Sequence, residues 1–329
     1  MSTEPITHTA EAAAWPGSGL RQLASDYVTL TKPRVQALLL LTTVTTMYVA
    51  GDPSVALVAA TCLGGSLSAG GAGAVNHWFD RDIDAQMRRT ATRPVAAGRI
   101  SPGAALGFGL ALGALSFAEL TLAVNLLSAV LALAGFLGYV LVYTMWLKRT
   151  TPQNIVIGGA AGAVPPLVGW AAVTGHLASM ALYLFAIVFY WTPPHFWALS
   201  LLMKDEYARA GIPMMPVVRG EAETRRQILL YTCLLCVLTL LPVAFGFFGP
   251  LYGVLAAGLG GAFVVLAVRL QRAADRRSAL RTYLFSLAYL AVLFCAMVLT
   301  PACRLRRRWT VDSHAATSAP PSSPASWAC

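Results

Sequence analysis

The feature that most constrains this sequence is a series of apolar stretches, each long enough to cross a lipid bilayer. A transmembrane helix needs about 20 mostly apolar residues, and we place nine such stretches along the 329 residues. They cover about 33–50, 54–76, 103–121, 123–147, 154–174, 180–203, 227–247, 250–268 and 282–303. Because backbone polar groups in lipid must be satisfied within the spanning segment, the pattern predicts an all-α polytopic membrane protein.

The composition is typical of a single membrane-embedded unit. Hydrophobic residues make up 57% and charged residues 12% of the chain, against about 25% charged residues in soluble domains. We predict a cytoplasmic N-terminal segment at 1–28, a transmembrane domain at 29–303 and a tail at 304–329. The tail begins with arginines, continues rich in Ser, Pro and Ala, and is expected to be disordered.

The basic residues predict the orientation of the chain in the membrane. Between the spans they lie in the even-numbered loops, which are loop 2 (77–102), loop 4 (148–153), loop 6 (204–226) and loop 8 (269–281), whereas the odd-numbered loops contain no Lys or Arg. By the positive-inside rule, the N-terminus and the even loops face the cytoplasm. Nine spans then place the arginines at 304–308 outside, so either the count is off by one or the earlier clusters overrule this one.

The net charge of +10 is explained by this topology and by anionic lipid, so we expect no nucleic-acid partner. The first residues lack the basic start of a signal peptide and the arginines of a transit peptide. This favours the inner membrane of a bacterium.

Asn76, Asp80 and Asp84, together called the acid ladder, follow at intervals of four residues where the second span meets loop 2. On a helix this spacing keeps the three oxygen-bearing side chains nearly on one face. Hard oxygens suit Mg²⁺, which is often bound by one or two carboxylates plus substrate phosphates. Arg88 and Arg89 follow one turn later and are placed to hold phosphate oxygens. The pattern predicts a magnesium–diphosphate site at the membrane edge.

Loops 4 and 6 open on the same side as loop 2 and carry further polar groups. Loop 4 begins with Lys148, and loop 6 contains the adjacent carboxylates of Asp205 and Glu206 between the cations Lys204 and Arg209. Two acidic clusters facing each other across a bundle, with cations beside them, suit a diphosphate held by metal ions. Taken singly, a charged loop at a membrane surface is often only solvated; the three loops together favour a site.

The sequence also resembles a known family. The pattern Asn-x-x-x-Asp-x-x-x-Asp at 76–84 is similar to the first aspartate-rich motif of the intramembrane UbiA prenyltransferase superfamily. Segments at 30–43, 143–175 and 191–218 resemble, more specifically, its protohaem IX farnesyltransferase branch. The resemblance covers about Thr29 to Pro301 and implies a UbiA-type bundle of nine transmembrane helices with a central cavity.

The resemblance also implies a reaction. The farnesyl group of farnesyl diphosphate is expected to pass to a vinyl group of haem B (protohaem IX), giving haem O and diphosphate. Mg²⁺ is the implied cofactor, and haem B is a substrate. Haem O serves haem–copper oxidases, so haem A synthase or oxidase assembly proteins are possible partners.

Carried over residue by residue, the ladder matches the first motif and supplies metal and diphosphate ligands, with Arg88 and Arg93 as the basic residues that follow it. Asp205 and Glu206 fall where the second acidic motif lies and are expected to bind metal. Lys204 and Arg209 are expected to bind diphosphate.

Two positions depart from the family pattern. Tyr143 and Lys148, both expected to act in catalysis, stand one residue further apart than the family's Tyr-x-x-x-Lys pair. Arg209 stands where an aspartate would complete an Asp-x-x-x-Asp pattern with Asp205. These departures make the second metal ligand set the weakest part of the comparison.

We expect the C–O bond of the diphosphate to ionise to an allylic cation beside Asp80, Asp84 and Lys148. His195, in the segment PPHFW, is a further catalytic candidate, because histidine within a span is rare and often functional. It could contact the haem iron or a propionate, or act as a base when the cation collapses. Alternatively, a backbone carbonyl freed by Pro193 and Pro194 satisfies it.

Two other functions compete. One is a prenyltransferase of the same superfamily that acts on an aromatic acceptor such as 4-hydroxybenzoate. The other is a secondary transporter for an anionic substrate. Transporter sites lie near the bilayer midplane and often between repeat halves, whereas the charges here lie at one face and we find no internal repeat.

Overall fold

A computed structural model describes residues 19–300 of the chain. The predicted tail at 304–329, most of the predicted N-terminal segment and the last residues of the ninth span lie outside the described residues. The first described helix crosses the predicted boundary at residue 28.

The described residues form helices joined by turns, with no β-strand. The helices are α1 (Leu20–Leu30), α2 (Pro33–Ala50), α3 (Val55–Phe79), α4 (Arg81–Gln86), α5 (Pro102–Ala123), α6 (Leu126–Leu137), α7 (Lys148–Thr150), α8 (Asn154–Gly162), α9 (Val164–Thr174), α10 (Ser179–Leu202), α11 (Lys204–Arg209), α12 (Met215–Val218), α13 (Gly220–Ala244), α14 (Pro250–Ala273) and α15 (Arg276–Leu299). A π-helical segment, Gly138–Leu147, joins α6 to α7 without a break.

The predicted spans lie on these helices. Within residues 19–300, seven helical segments are long and apolar enough to cross a membrane: 55–79, 102–123, 126–150, 154–174, 220–244, 250–273 and 276–299. Helices α2 and α10 cover the other two predicted spans but are less apolar. The all-α membrane fold is therefore confirmed, whereas the count of nine spans stays a prediction.

Local sequence signals set several helix ends. Ser54, Ser101 and Asn125 precede α3, α5 and α6, and each side-chain oxygen accepts a backbone N–H of the first turn. Such caps satisfy donors that have no partner within the helix. Gly175, in the left-handed region at φ 72°, ends α9, where a residue without a Cβ is favoured.

Glycines bring α3 and α5 into close contact. A Cβ on Gly71 would lie 2.6 Å from the carbonyl oxygen of Gly109, and one on Gly109 would lie 2.8 Å from that of Gly71. Small residues let helix backbones approach closely within membranes, where packing drives association. This contact fixes α3, whose last turn begins the acid ladder.

The buried apolar residues divide along the bundle. The largest cluster includes Leu184, Tyr252 and Tyr289 and joins α10, α14 and α15. A second cluster, around Ile83 and Trp197, lies at the end that carries loops 2, 4 and 6, here called the polar end. Its member Ile83 is the sequence neighbour of Asp84, so this cluster lies at the same end of the bundle as the acid ladder.

Candidate active site

The acid ladder lies where α3 passes into α4. The backbone N–H of Asp80 donates to the carbonyl oxygen of Asn76 at 2.9 Å, and that of Asp84 donates to Asp80 at 2.8 Å. Helical spacing therefore continues through the joint, and the Asn76 amide donates to Oδ2 of Asp80 at 2.7 Å. All three side chains are buried. The four-residue spacing thus produces one buried row of oxygen ligands.

Each ladder aspartate is paired with a cation. Arg93 Nη1 lies 2.8 Å from both carboxylate oxygens of Asp84, and Lys148 Nζ donates to Oδ2 of Asp80. Such partners offset the high cost of removing a carboxylate from water. The other oxygen of Asp80, Oδ1, is buried and has no hydrogen-bond partner among residues 19–300, and Arg149 Nη2 lies 3.5 Å from it. That oxygen is an open ligand position.

Lys32 is a site residue that the sequence analysis missed. Its Nζ donates to the Asn76 side-chain oxygen and lies 3.4 Å from the Tyr139 hydroxyl. Burial, together with the neighbouring charges of Arg93 and Lys148, lowers the pKa of Lys32 to about 7. The sequence signal for this role was the Lys-Pro pair at the start of the first span, but a lysine there is equally expected from the positive-inside rule.

Backbone geometry holds Lys32 in place. Lys32 lies in the left-handed region at φ 54°, which is unusual for a residue with a Cβ. The turn that carries it packs against Gly73 of α3, where a Cβ would lie 2.9 Å from the carbonyl oxygen of Leu30 and 3.5 Å from Lys32 Cδ. The absence of a side chain at position 73 therefore allows Lys32 to reach the ladder.

The π-helical segment explains the extra residue between Tyr143 and Lys148. The bonds of a π-helix run from residue i to i+5, as in the bond from the Lys148 N–H to the Tyr143 carbonyl. Residues five apart therefore stack along one side of this segment. Tyr139 and Thr144 form a second such pair, and the Thr144 hydroxyl accepts from the Asn76 amide at 3.2 Å. The wider turn compensates for the spacing that departs from the family pattern.

Two glycines of α8 separate this segment from α10. The ring of Tyr143 packs against Gly158, and Thr192 of α10 packs against Gly159, where a Cβ would lie 2.8 Å from Thr192 Cγ2. The rings of Tyr143 and Tyr139 are 5.4 Å apart. Aromatic faces therefore line the space beside the ladder, and α10 approaches from the other side of α8.

Arg149 joins loop 4 to α4 and was not predicted as a site residue. It forms a two-pronged pair with Asp82, with nitrogen–oxygen distances of 2.7 and 2.8 Å. The hydrogen bond from Arg149 lowers the pKa of the Asp82 carboxyl. Asp82 lies off the ladder face and is largely exposed, so this pair fastens the loops together above the buried ladder.

Loop 6 is arranged differently from the prediction. Lys204 donates to Glu221 at 3.0 Å, and Asp205 is exposed and lines a cavity of about 200 Å³ that also includes Arg225 and Arg276. Arg209 is exposed as well. Asp205 was predicted to bind metal opposite the ladder; α11 directs its side chain towards α13 and the start of α15, and its metal binding stays a prediction.

The opposite side of α11 faces loop 2. Oxygen Oε2 of Glu206 is buried, and no described residue forms a hydrogen bond with it. Burial raises the pKa of the neighbouring Tyr207, and the charges of Arg89 and Arg93 oppose this shift. Across residues 19–300, no three His, Cys, Asp or Glu side chains form a group that could hold one metal ion. Like Asp80, Glu206 therefore has a buried carboxylate oxygen, but it does not form a metal-binding cluster with the ladder aspartates.

Two predicted residues lie apart from the ladder. Arg88 is exposed and forms no ion pair within the described part of the chain. His195 is buried on α10, and its Nδ1 lies 2.7 Å from the hydroxyl of Ser286 on α15. The structure brings Asn76, Asp80, Asp84, Arg93, Tyr143 and Lys148 together and places the other predicted residues around them.

Known proteins match this chain over most of its length. The sequence profile of the UbiA prenyltransferase family matches residues 39–298. A protohaem IX farnesyltransferase from Roseiflexus sp. is 55% identical over 85% of this chain and 53% of its own length. One from Symbiobacterium thermophilum is 56% identical over 84% of this chain and 94% of its own length. The chain thus spans about half the length of some curated relatives and nearly all of others.

Solved structures share the fold at low sequence identity. A digeranylgeranylglyceryl phosphate synthase has a TM-score of 0.69 at 17% identity, covering 84% of this chain and 97% of its own. A UbiA homologue from Archaeoglobus fulgidus, bound to GPP and Mg²⁺, has a TM-score of 0.65 at 16% identity, covering 83% and 99%. By its sequence match and its fold, this chain belongs to the UbiA prenyltransferase family.

Proposed function

We propose that this chain transfers the farnesyl group of farnesyl diphosphate to a vinyl group of haem B, giving haem O and diphosphate. The observation that carries the proposal is the acid ladder, with Lys32, Lys148 and Arg93 beside it at the polar end of an apolar bundle. The names of the relatives at 55–56% identity support haem B as the acceptor. The buried ladder itself supports a diphosphate donor rather than a particular acceptor.

The ladder fits Mg²⁺ by its own chemistry. Three neutral or anionic side chains present oxygens on one buried row, and Oδ1 of Asp80 lacks a hydrogen-bond partner. We assign Asn76, Asp80 and Asp84 as ligands, with Glu206 ahead of Asp205 as the contribution from loop 6. When bound, the ion supplies positive charge that holds the diphosphate and stabilises the charge that develops on it.

The cations act on the leaving group. Lys32, in the turn before α2, and Lys148, on α7, reach the ladder and are placed to donate to diphosphate oxygens, and Arg93 does so from loop 2. Donors fixed in a buried site stabilise developing negative charge strongly, because they need not reorient during the reaction. Exposed Arg88 and Arg209, with Lys204, attract the diphosphate to the polar end.

The reaction breaks the bond between the first farnesyl carbon and the diphosphate oxygen, and both electrons remain on that oxygen. The π electrons of the haem vinyl group then form the new C–C bond to the allylic cation. Water adds to the remaining cation and loses a proton, which gives the hydroxyl group of the new side chain. The aromatic rings of Tyr139 and Tyr143, whose centroids lie 5.4 Å apart, are placed to shield the cation from water.

The cellular setting follows from the charge pattern and the chemistry. We propose a bacterial inner membrane location with the N-terminus and the polar end in the cytoplasm, because Lys and Arg concentrate in the even loops. The product is apolar and membrane-bound, which supports transfer to a haem A synthase or to oxidase assembly proteins.

The test is an assay of membranes containing this chain with haem B, farnesyl diphosphate and Mg²⁺, read by chromatography for haem O. We expect product that disappears in Asp80→Ala and with EDTA, and that persists in Asp52→Ala. Asp52 is a suitable control because it is an exposed aspartate outside the ladder, in the turn between α2 and α3. Prenylation of an added aromatic acid without haem O would overturn the acceptor, and the absence of any prenyl transfer would overturn the proposal.

A further inference from the structure

Two aromatic rings and one hydrogen bond hold the side chain of His195. Its ring stacks on Trp191, with centroids 4.4 Å apart and planes at 19°, and on Tyr283, with centroids 4.8 Å apart and planes at 28°. The indole N–H of Trp191 donates to the backbone oxygen of Ser286 at 2.7 Å. The imidazole is therefore fixed in its plane between α10 and α15.

The protons around Ser286 determine which nitrogen of His195 carries hydrogen. The Ser286 hydroxyl lies 2.6 Å from the carbonyl oxygen of Tyr283 and 2.7 Å from Nδ1 of His195. A serine hydroxyl has one proton to donate, and the Tyr283 carbonyl can only accept. Both contacts are satisfied together only if Ser286 donates to Tyr283 and His195 donates from Nδ1. Nε2 of the neutral ring then carries a free lone pair.

This lone pair accepts no hydrogen bond from the described part of the chain. Among residues 19–300, Nδ1 is the only nitrogen of His195 with a hydrogen-bond partner. The Nε2 atom keeps some solvent-exposed surface, and the residue as a whole is 6% exposed. This nitrogen is therefore not sealed by the described residues.

We infer that Nε2 of His195 is an axial ligand of the haem iron and so positions the acceptor, an inference that rests on the proposed function. A metal-binding histidine usually donates its other N–H to a second group, which fixes the tautomer and orients the ring. The chain from His195 through Ser286 to the Tyr283 carbonyl has this form. His195 is a positioning residue: it holds the porphyrin and takes no part in bond making.

The location of His195 suits this role. It lies three residues beyond Thr192, about 4.5 Å along the helix axis, and Thr192 packs on Gly159 of α8. On the other side of α8, Tyr143 packs on Gly158 beside the acid ladder. The iron site and the diphosphate site therefore lie on helices that meet across two adjacent glycines.

The experiment titrates the purified full chain with haem B, without farnesyl diphosphate, and records visible and electron paramagnetic resonance spectra. We expect the spectrum of an imidazole-ligated haem, lost in His195→Ala and restored by added imidazole. Ser286→Ala should keep this spectrum and weaken haem binding by about 10-fold. Iron-free protoporphyrin IX serves as the second probe, and its binding should not change in His195→Ala.

Matched controls come from the same chain. His176→Ala removes an exposed histidine outside the site, and Ser200→Ala removes a buried serine whose hydroxyl donates to a carbonyl three residues earlier, as in Ser286. Neither should alter the haem spectrum. An unchanged spectrum in His195→Ala, or an equal loss of protoporphyrin and haem binding, would overturn the inference. Haem O production by the wild-type chain is scored separately, so failure of the proposed function is distinguished from failure of the iron ligand.

Discussion

Loop 2 and loop 6 carry comparable sets of charged residues but use them differently. In loop 2, the buried Asp80 meets Lys148, 68 residues away in the sequence. In loop 6, Lys204 pairs with Glu221, and both side chains remain substantially exposed, at 38% and 43%. The other loop 6 pairs join neighbours on the same helix turn.

This difference separates a site from a solvated surface. Exposed pairs contribute little because water screens them and side-chain entropy is lost in forming them. A buried carboxylate, by contrast, requires its partner, since an unpaired buried charge is strongly destabilising. Pairs that are buried and distant in sequence, as around the ladder, therefore mark where the fold has concentrated its chemistry.

The largest expected effect compares one aspartate from each loop. Asp84→Asn should lower haem O formation by about 100-fold or more, because it removes an anionic ligand within the ladder. Asp205→Asn should change the rate by less than about 3-fold, since this carboxylate is exposed and faces away from the ladder. Initial rates with saturating haem B measure both. Equal losses would show that loop 6 reaches the ladder during the reaction.

A stability measurement sharpens the contrast. Arg93→Ala leaves Asp84 buried without the Arg93 nitrogen that contacts both carboxylate oxygens, and should lower the free energy of unfolding by about 3 kcal/mol. Arg226→Ala removes an exposed pair with Glu223 and should leave the free energy of unfolding nearly unchanged, because water screens this pair. Unfolding in mixed detergent micelles compares them. The double variant Arg93→Ala/Asp84→Asn should recover part of the loss, and no recovery would contradict the pairing argument.

A smaller effect tests how the fold delivers Lys32 to loop 2. Gly73→Ala places a methyl group against the Leu30 carbonyl and should destabilise the protein by about 1–3 kcal/mol while raising the KM for farnesyl diphosphate. Gly65→Ala is the matched control on α3, because its nearest neighbour would lie 3.9 Å away. If both variants behave alike, the close approach at position 73 does not position Lys32.

The smallest expected effect is a pH dependence in loop 6. The hydrogen bond from Lys204 lowers the pKa of Glu221, so the pair stabilises the folded protein at neutral pH and loses that contribution as pH falls below the usual glutamate range of about 4.3. Because both groups are exposed, we expect a few tenths of a kcal/mol. Comparing Glu221→Gln with the wild type at pH 7 and pH 4 measures it. A difference that grows on acidification would contradict the sign.

Much of the fold and part of the site could be predicted from local patterns. The apolar stretches locate the helices because hydrophobicity is a property of each segment by itself, and the ladder spacing places its oxygens on one face because helical periodicity is local too. The second acidic cluster could not be predicted in the same way. Adjacent residues on a short helix face different directions, so the orientation of α11 decides that Asp205 turns outward and Glu206 inward.

The sequence by itself determined an all-helical membrane protein with a polar end and a row of oxygen ligands at 76, 80 and 84. Only the tertiary structure decided which cations meet that row, since Lys32 and Lys148 reach it through glycine contacts and a π-helical turn. It also decided that His195 donates from Nδ1, because Ser286 comes from a helix 91 residues away. Contacts between distant segments depend on how helix surfaces fit together, and no local pattern in the chain records that fit.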